Sequence, residues 1–514
     1  MTNDKKPQRQ NQRSSFSSGP RQGGKPAFDR RGGDKAPMHK TGFVKRPYNG
    51  QPKRGNTRPA PSTEQSTEPN TTPARRVALQ VLTDVHENGA FAALSLNERL
   101  KTARLKPEDR RLATGLVYGV LEDQIRIDFA LKGFLAHQVK EAAQMDILRM
   151  GAYQILFFDR VPDSAAVNEA VKLTRALGME NSTGFVNAVL RNLSRQKAEL
   201  PWPKREDDVR TYLHVMTSTP MWLVDRLIAE YGAEEAERIL SYREKTPVLT
   251  IRPNLYTSSD QELEKQLKNK GITYRKGVAP HAFLLEGVSE PTYDADYQKG
   301  LYSIQGQSSM LAAEAIQARP GMRILDACAA PGGKSAYLCE SMQMTGRVFA
   351  WELHETRAQL LDGVKRRLRL ENLRITVRDA TRPMEDWENT LDAVLLDAPC
   401  SGTGVMTQKP DIKQRLKEED ISAIAETQKQ LLDNLCQYVK VGGTLVYSTC
   451  SILPEENEKQ VAAFLERHPN YQLEPLPTSF PQSLRQLQGK NGLQLQAYRD
   501  GVEGFFIARM RRVR

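Results

Sequence analysis

The segment MRILDACAAPGGKSAYL, residues 322–338, constrains this chain more than any other. It reads as a short buried strand ending at Asp326, a turn built on Pro331, Gly332 and Gly333, and then a helix. Such a turn lets backbone N–H groups approach a ligand closely at a helix start. Nineteen residues beyond Gly333 the apolar strand RVFAWELH delivers Glu352, the position at which an acidic strand end grips a ribose hydroxyl pair. RITVRDAT places Asp379 at a third strand end, suited to an adenine amino group. LDAVLLDAPCSGTGV places Asp397 at a fourth, followed by Pro399 and Cys400, and GGTLVYSTCSILPEENE ends a fifth at Thr449 and Cys450. Open α/β sheets bind ligands along this carboxyl edge. A Rossmann-like α/β domain is therefore expected over residues 306–514, its sheet closed by an antiparallel pair from LQLQAY and GFFIARM.

Three ligands compete for the glycine turn. A phosphate-cradling P-loop needs its first glycine where Cys328 stands, although Gly333, Lys334 and Ser335 supply its end. A dinucleotide site needs G-x-G-x-x-G, and AAPGGKS lacks that spacing. S-adenosylmethionine remains, since its adenosine and methionine halves need an acidic strand end and a glycine turn but no phosphate cradle. The glycine turn Pro331, Gly332 and Gly333, with Glu352 and Asp379, is the cofactor contact this reading expects.

Five cysteines without a pairing scheme suit a reducing, cytoplasmic setting. Cys339 and Cys436 sit within apolar helical patterns and read as inert, and Cys328 reads as packing beside the loop. Cys400 and Cys450 differ, because both fall at strand ends beside polar turn residues. The seven histidines are scattered and no C-x-x-C pair occurs, so no metal is expected. Two thiols facing a methyl donor suit one demanding reaction, methylation of carbon 5 of cytosine. A thiolate adding to carbon 6 makes the ring enamine-like and reactive at carbon 5. An acid near ring nitrogen 3 would stabilise the adduct, and Asp397 lies three residues before Cys400 for that role.

At 514 residues the chain is long enough for about three domains. Residues 1–74 carry 15 Lys and Arg against 5 Asp and Glu, so nearly all of the formal net charge of +12 sits in one Gln-, Gly-, Pro- and Ser-rich stretch. It cannot bury enough apolar surface to order itself. It reads as a disordered tail, either an RNA-contacting arm or a solubilising extension. Apolar residues at three- and four-residue steps predict a helical domain over residues 75–200. Arg75, Arg76, Arg110, Arg111, Arg175, Arg191 and Arg195 lie between those positions and either line one face or are simply solvated. Residues 201–305 mix helical and strand-like pieces in the layout of a small RNA-recognition-like α+β domain. No apolar run approaches the length of a membrane span, and a monomer is the default.

The runs RRVALQVLTDVHENGAFAALSLNERL, DRRLATGLVYGVL, VPDSAAVNEAVKLTRALG and FVNAVLRNL resemble the RNA-binding helical domain of the antitermination factor NusB. DACAAPGGKS, LLDAPCSGTGV and VYSTCSILPEENE resemble the motifs of the RNA cytosine-carbon-5 methyltransferases. The resemblance implies Cys450 as nucleophile, Cys400 as the residue that assists product release, S-adenosylmethionine as cofactor, held by the loop Cys328, Ala329, Ala330, Pro331, Gly332, Gly333 and Lys334 with Glu352, Asp379 and Asp397, and RNA as substrate. The NusB-like domain directs that expectation to 16S rRNA of the small ribosomal subunit. The same chemistry on tRNA, and an RNA-binding assembly module with an inactive catalytic half, are the alternatives.

Overall fold

The computed structural model describes residues 72–159, 161–243, 248–288 and 291–514. The basic tail expected over residues 1–74 lies outside them as far as residue 71. The helical domain starts inside the stretch assigned to that tail. Its first helix, α1 (Pro73–Asn88), opens on a proline whose missing N–H costs nothing there and stops at Gly89, where φ is +63°. Then follow α2 (Ala92–Thr102), α3 (Pro107–Glu122), α4 (Gln124–Lys132), α5 (Ala142–Phe157), α6 (Asp163–Ala176) and α7 (Thr183–Gln196). The three-four spacing of Val77, Val81 and Val85 turns them onto the same core as Leu116 and Val120 of α3, Ile147 of α5 and Leu190 of α7.

The arginines of this domain divide. Arg75 is buried, and its Nε and Nη2 donate to Gln154 Oε1 at 3.0 and 2.8 Å, so it belongs to the domain's internal frame. Arg76, Arg111, Arg175, Arg191 and Arg195 are exposed.

Helices α8 (Val209–Met216), α9 (Met221–Tyr231) and α10 (Ala233–Ser241) do not share a core with the strands that follow. Leu213, Leu223, Val224 and Leu227 pack instead on Val405, Met406, Ile412, Ile452 and Leu453, the loops behind Cys400 and Cys450. Strand β1 (Val248–Pro253), helix α11 (Asp260–Asn269), β2 (Tyr274–Lys276), β3 (Phe283–Glu286), the one-turn α12 (Ala295–Gln298) and β4 (Tyr302–Ile304) form a small α+β unit. Its antiparallel sheet runs β2-β3-β1-β4. Ile251, Leu263, Leu267, Phe283 and Leu285 fill the space between sheet and helix.

The larger sheet contains β5 (Arg323–Asp326), β6 (Arg347–Glu352), β7 (Leu373–Val377), β8 (Leu391–Asp397), β9 (Val439–Thr449), β10 (Tyr471–Leu473), β11 (Leu493–Leu495) and β12 (Phe505–Arg512). Its order is β10-β12-β9-β8-β5-β6-β7, with β11 paired to β12. The strands β5 to β9 are parallel, and β12 runs antiparallel to both β9 and β11, as the C-terminal alternation predicts. Helices α13 (Gln307–Glu314), α14 (Gly333–Ser341), α15 (Glu355–Leu368), α16 (Ile412–Arg415), α17 (Glu418–Leu435) and α18 (Glu458–Arg467) connect or flank the strands.

One buried ion pair joins the small sheet to the domain of the larger sheet. Arg252 of β1 pairs with Glu340 of α14, both fully buried. Arg252 Nε also donates to Gln305 Oε1 at 2.8 Å, and the Leu255 amide donates to Glu340 Oε2 at 2.9 Å. These bonds satisfy charges that burial would otherwise penalise heavily. They also fix the helix whose N-terminus carries Gly333 and Lys334. Among the described residues no helix is long and apolar enough to cross a membrane.

Candidate active site

The carboxyl edge of the sheet divides into two halves. In the first, β5, β6 and β7 present Asp326, Glu352 and, two residues past its strand, Asp379. Asp326 is fully buried; Ser335 Oγ donates to its Oδ2 at 2.6 Å, while Oδ1 has no hydrogen-bond partner. Burial pushes its pKa up to about 7, only partly offset by the Ser335 bond and the Lys334 charge. Glu352 is also buried and accepts the His354 amide at 3.1 Å, with Arg357 Nη1 at 3.5 Å. Asp379 closes its own turn, its Oδ1 accepting Thr381 N at 2.9 Å and Thr381 Oγ1 at 2.6 Å.

The loop Cys328–Lys334 lies against these acids. Ala329 N donates to Trp351 O at 2.9 Å and Arg357 reaches Ala330 O at 3.3 Å. Gly332 has φ of +110°, and a Cβ there would press on Leu361 at 3.0 Å, so the turn following Pro331 requires glycine. Burial pushes the Cys328 thiol well up, which suits a packing role and not a reactive one. A carboxylate with an unpaired buried oxygen, a second buried acid and a glycine turn opening a helix fit the polar ends of S-adenosylmethionine.

The second half holds the thiols. Cys400 follows β8 and Cys450 follows β9; their sulfurs are 3.1 Å apart, and Cys450 N lies 3.3 Å from Cys400 Sγ. The hydrogen bond between the thiols lowers the Cys450 pKa, against burial and Asp397, with help from Lys409 and Lys334. The same bond, with burial, raises Cys400. Cys450 is thus the thiol disposed to ionise. Cys339 and Cys436 are buried in helical packing, and burial raises both.

Lys334 and Asp397 bridge the halves. Lys334 Nζ donates to Asp397 Oδ2 at 2.7 Å, and Ser448 Oγ donates to Oδ1 at 2.8 Å. Burial alone would lower the Lys334 pKa, yet Asp397 more than compensates and keeps it charged. The sequence placed Lys334 only in the cofactor loop; its partnership with Asp397, 63 residues away, requires the fold.

Sequence reasoning missed one buried residue, Glu456. It accepts Ser401 N, Ser401 Oγ, Ser451 Oγ and Gln428 Nε2, which ties together the residues following each thiol. Gly404 completes the tie: its amide donates to Cys450 O at 2.9 Å, and a Cβ there would collide with Gly504 O. The acid-rich PEENE following Cys450 was the available signal. Among the described residues no group of three or more His, Cys, Asp or Glu is placed to hold a metal ion.

Comparisons with known proteins match three parts of the chain to families. Residues 313–511 match the family described as 16S rRNA methyltransferase RsmB/F, residues 72–195 the NusB family, and residues 219–290 the ferredoxin-like domain of RsmF/B-like methyltransferases. The probable ribosomal RNA small subunit methyltransferase B of Bacillus subtilis (strain 168) is 37% identical over 446 residues, 86% of this chain and 99% of its own length. The crystal structure of PH0851 shares the fold with a TM-score of 0.73 at 24% identity, covering 87% of this chain and all of that one. NSun6 from Pyrococcus horikoshii, solved with SFG, does so with a TM-score of 0.52 at 21% identity, covering 58% of this chain and 100% of its own. This chain is an S-adenosylmethionine-dependent methyltransferase and belongs to the 16S rRNA methyltransferase RsmB/F family.

Proposed function

We propose that the protein methylates carbon 5 of a cytosine in 16S rRNA through a covalent bond between Cys450 and carbon 6 of the base. The observation that carries this reading is the thiol pair, 3.1 Å apart, beside the Lys334–Asp397 pair. Cofactor binding alone needs neither thiol.

In this reading the Cys450 thiolate adds to carbon 6, and ring nitrogen 3 takes up a proton shared between Asp397 and Lys334. That proton keeps the electron pair available at carbon 5 instead of leaving charge on the ring. S-adenosylmethionine supplies the electrophilic methyl group that carbon 5 accepts. Loss of the carbon 5 proton to solvent, with return of the nitrogen 3 proton to the Asp397–Lys334 pair, then restores the ring and expels Cys450 as thiolate, while Cys400 assists its departure. Asp326, Glu352, Asp379 and the loop Cys328–Lys334 hold the cofactor. The exposed arginines of α1 to α7 supply RNA contacts through phosphate charge.

The test is nucleoside analysis of unmodified 16S rRNA after incubation with the protein and labelled S-adenosylmethionine, with tRNA in parallel. Label in 5-methylcytidine of 16S rRNA supports the reading. Label in another nucleoside, or in tRNA alone, contradicts it.

A further inference from the structure

Outside the groups used above, the most heavily bonded buried acid at the site is Glu456. Its side chain is fully buried and no basic side chain is paired with it among the described residues. Ser401 N donates to its Oε2 at 2.8 Å and Gln428 Nε2 to the same oxygen at 3.1 Å. Ser401 Oγ and Ser451 Oγ donate to Oε1 at 2.5 and 2.6 Å. All four partners donate, which suits the ionised, acceptor-only carboxylate. Thr403 joins the same cluster, its hydroxyl 3.2 Å from Ser401 Oγ and 3.1 Å from Ser451 Oγ, and it accepts Ile452 N at 3.1 Å.

Ser401 directly follows Cys400 and Ser451 directly follows Cys450. One carboxylate therefore grips the two catalytic loops at the residue next to each thiol. We propose that Glu456 is a positioning residue that holds the two thiols in register and directs the proton between them onto Cys400, leaving Cys450 as the nucleophile. This rests on the assignment of Cys450 and Cys400 made above.

The heavy atoms alone leave the direction of the S–H···S bond open, because either sulfur can donate. The placement of Glu456 is unequal, for it holds Ser401, the neighbour of Cys400, by both amide and hydroxyl and Ser451 by its hydroxyl alone. Glu456 and Asp397 act on Cys400, whereas Lys409 and Lys334 join Asp397 around Cys450. Asp397 acts on both thiols; Glu456 bears on Cys400, and the two lysines favour charge on Cys450. The Cys450 amide, 3.3 Å from Cys400 Sγ, works in the opposite direction. It is a single dipole set against a full buried charge, whose field is little screened there.

The experiment is site-resolved alkylation of the full chain by iodoacetamide at neutral pH, read by peptide mass spectrometry, alongside methyl transfer and cofactor affinity. Wild type labels Cys450 in preference to Cys400. E456Q raises the ratio of Cys400 to Cys450 labelling about tenfold, the equivalent of about one pKa unit of redistribution, and slows methyl transfer without weakening S-adenosylmethionine binding. The double variant S401A/S451A keeps the carboxylate and loses both hydroxyl anchors; it slows transfer while the labelling ratio stays within about twofold of wild type. If E456Q retains the wild-type ratio, or S401A/S451A shifts it as far as E456Q does, the proton-directing role is overturned. Should E456Q not fold, the charge-keeping E456D takes its place, with the wild-type labelling ratio expected and a shifted ratio contradicting the role. C450A separates the two levels: methyl transfer by C450A would remove the nucleophile assignment, whereas the labelling ratios judge Glu456 independently.

Discussion

The two halves of the sheet's carboxyl edge treat buried carboxylates in opposite ways. On the β8–β9 side Glu456 has four donors and joins two loops into one body. On the β5–β7 side Asp326 is equally buried, yet one of its oxygens has no partner. An unpaired buried acceptor is costly to fold around. The cost is understandable where a ligand completes the bonding in every turnover and leaves again. In the proposed reaction the thiol side has no such partner to wait for, since the two sulfurs are to be held at a fixed separation before a base arrives. The open half suits an exchangeable cofactor and the closed half a preset covalent apparatus.

The largest way to break this comparison acts on the frame behind both halves. Arg252→Met leaves Glu340 as an unpaired charge with no exposure, and loss of one partner of a buried pair costs about 3–5 kcal/mol. Chemical denaturation should report that loss directly, and an effect under about 1 kcal/mol would mean that α14 is held by other contacts.

Asp326→Asn acts on the open half alone. Cofactor affinity is expected to fall roughly tenfold to a hundredfold, about 1.4–2.8 kcal/mol, in isothermal titration, with the Cys400 to Cys450 labelling ratio unchanged. The same variant tests the pH behaviour. The folded pKa of Asp326 is raised to about 7 from an ordinary value near 4. The folded state therefore binds the extra proton, and this group's contribution to stability is complete below about pH 4 and lost as the pH rises through 7. Melting of the cofactor-free protein should show that decline in wild type and a flatter profile in D326N.

Ser448→Ala is the smallest change. It removes the hydroxyl donor at 2.8 Å from Asp397 Oδ1 and leaves Lys334 in place. About 1 kcal/mol is expected, visible as a several-fold lower kcat with little change in cofactor affinity. An effect on cofactor affinity instead would move Asp397 to the open half.

The strands and the chemistry-bearing residues at their ends were legible because a parallel strand buried on both faces is an apolar run, and its end is marked by the first polar residue. Cys400 and Cys450 stood out against Cys339 and Cys436 for the same reason. Bonds across long separations were not legible. Glu456 reaches Ser401 55 residues back, and nothing local distinguishes it from its acidic neighbours in PEENE. Arg75 looked like a surface cation because helical spacing does not show that Gln154, 79 residues on, accepts it inside the core. Helices α8 to α10 adjoin the small α+β unit in sequence, and the packing of their apolar faces behind the thiol loops is a long-range contact that helical spacing does not show.

The central claim is that Cys450 forms the covalent bond to RNA and Cys400 releases it. The direct measurement is recovery of denaturant-resistant protein–RNA adduct from wild type, C400A and C450A incubated with S-adenosylmethionine and unmodified 16S rRNA. No adduct and more than about a thousandfold loss of methyl transfer are expected for C450A, with adduct accumulating in C400A. Adduct formed by C450A, or failure of C400A to accumulate any, would contradict the claim.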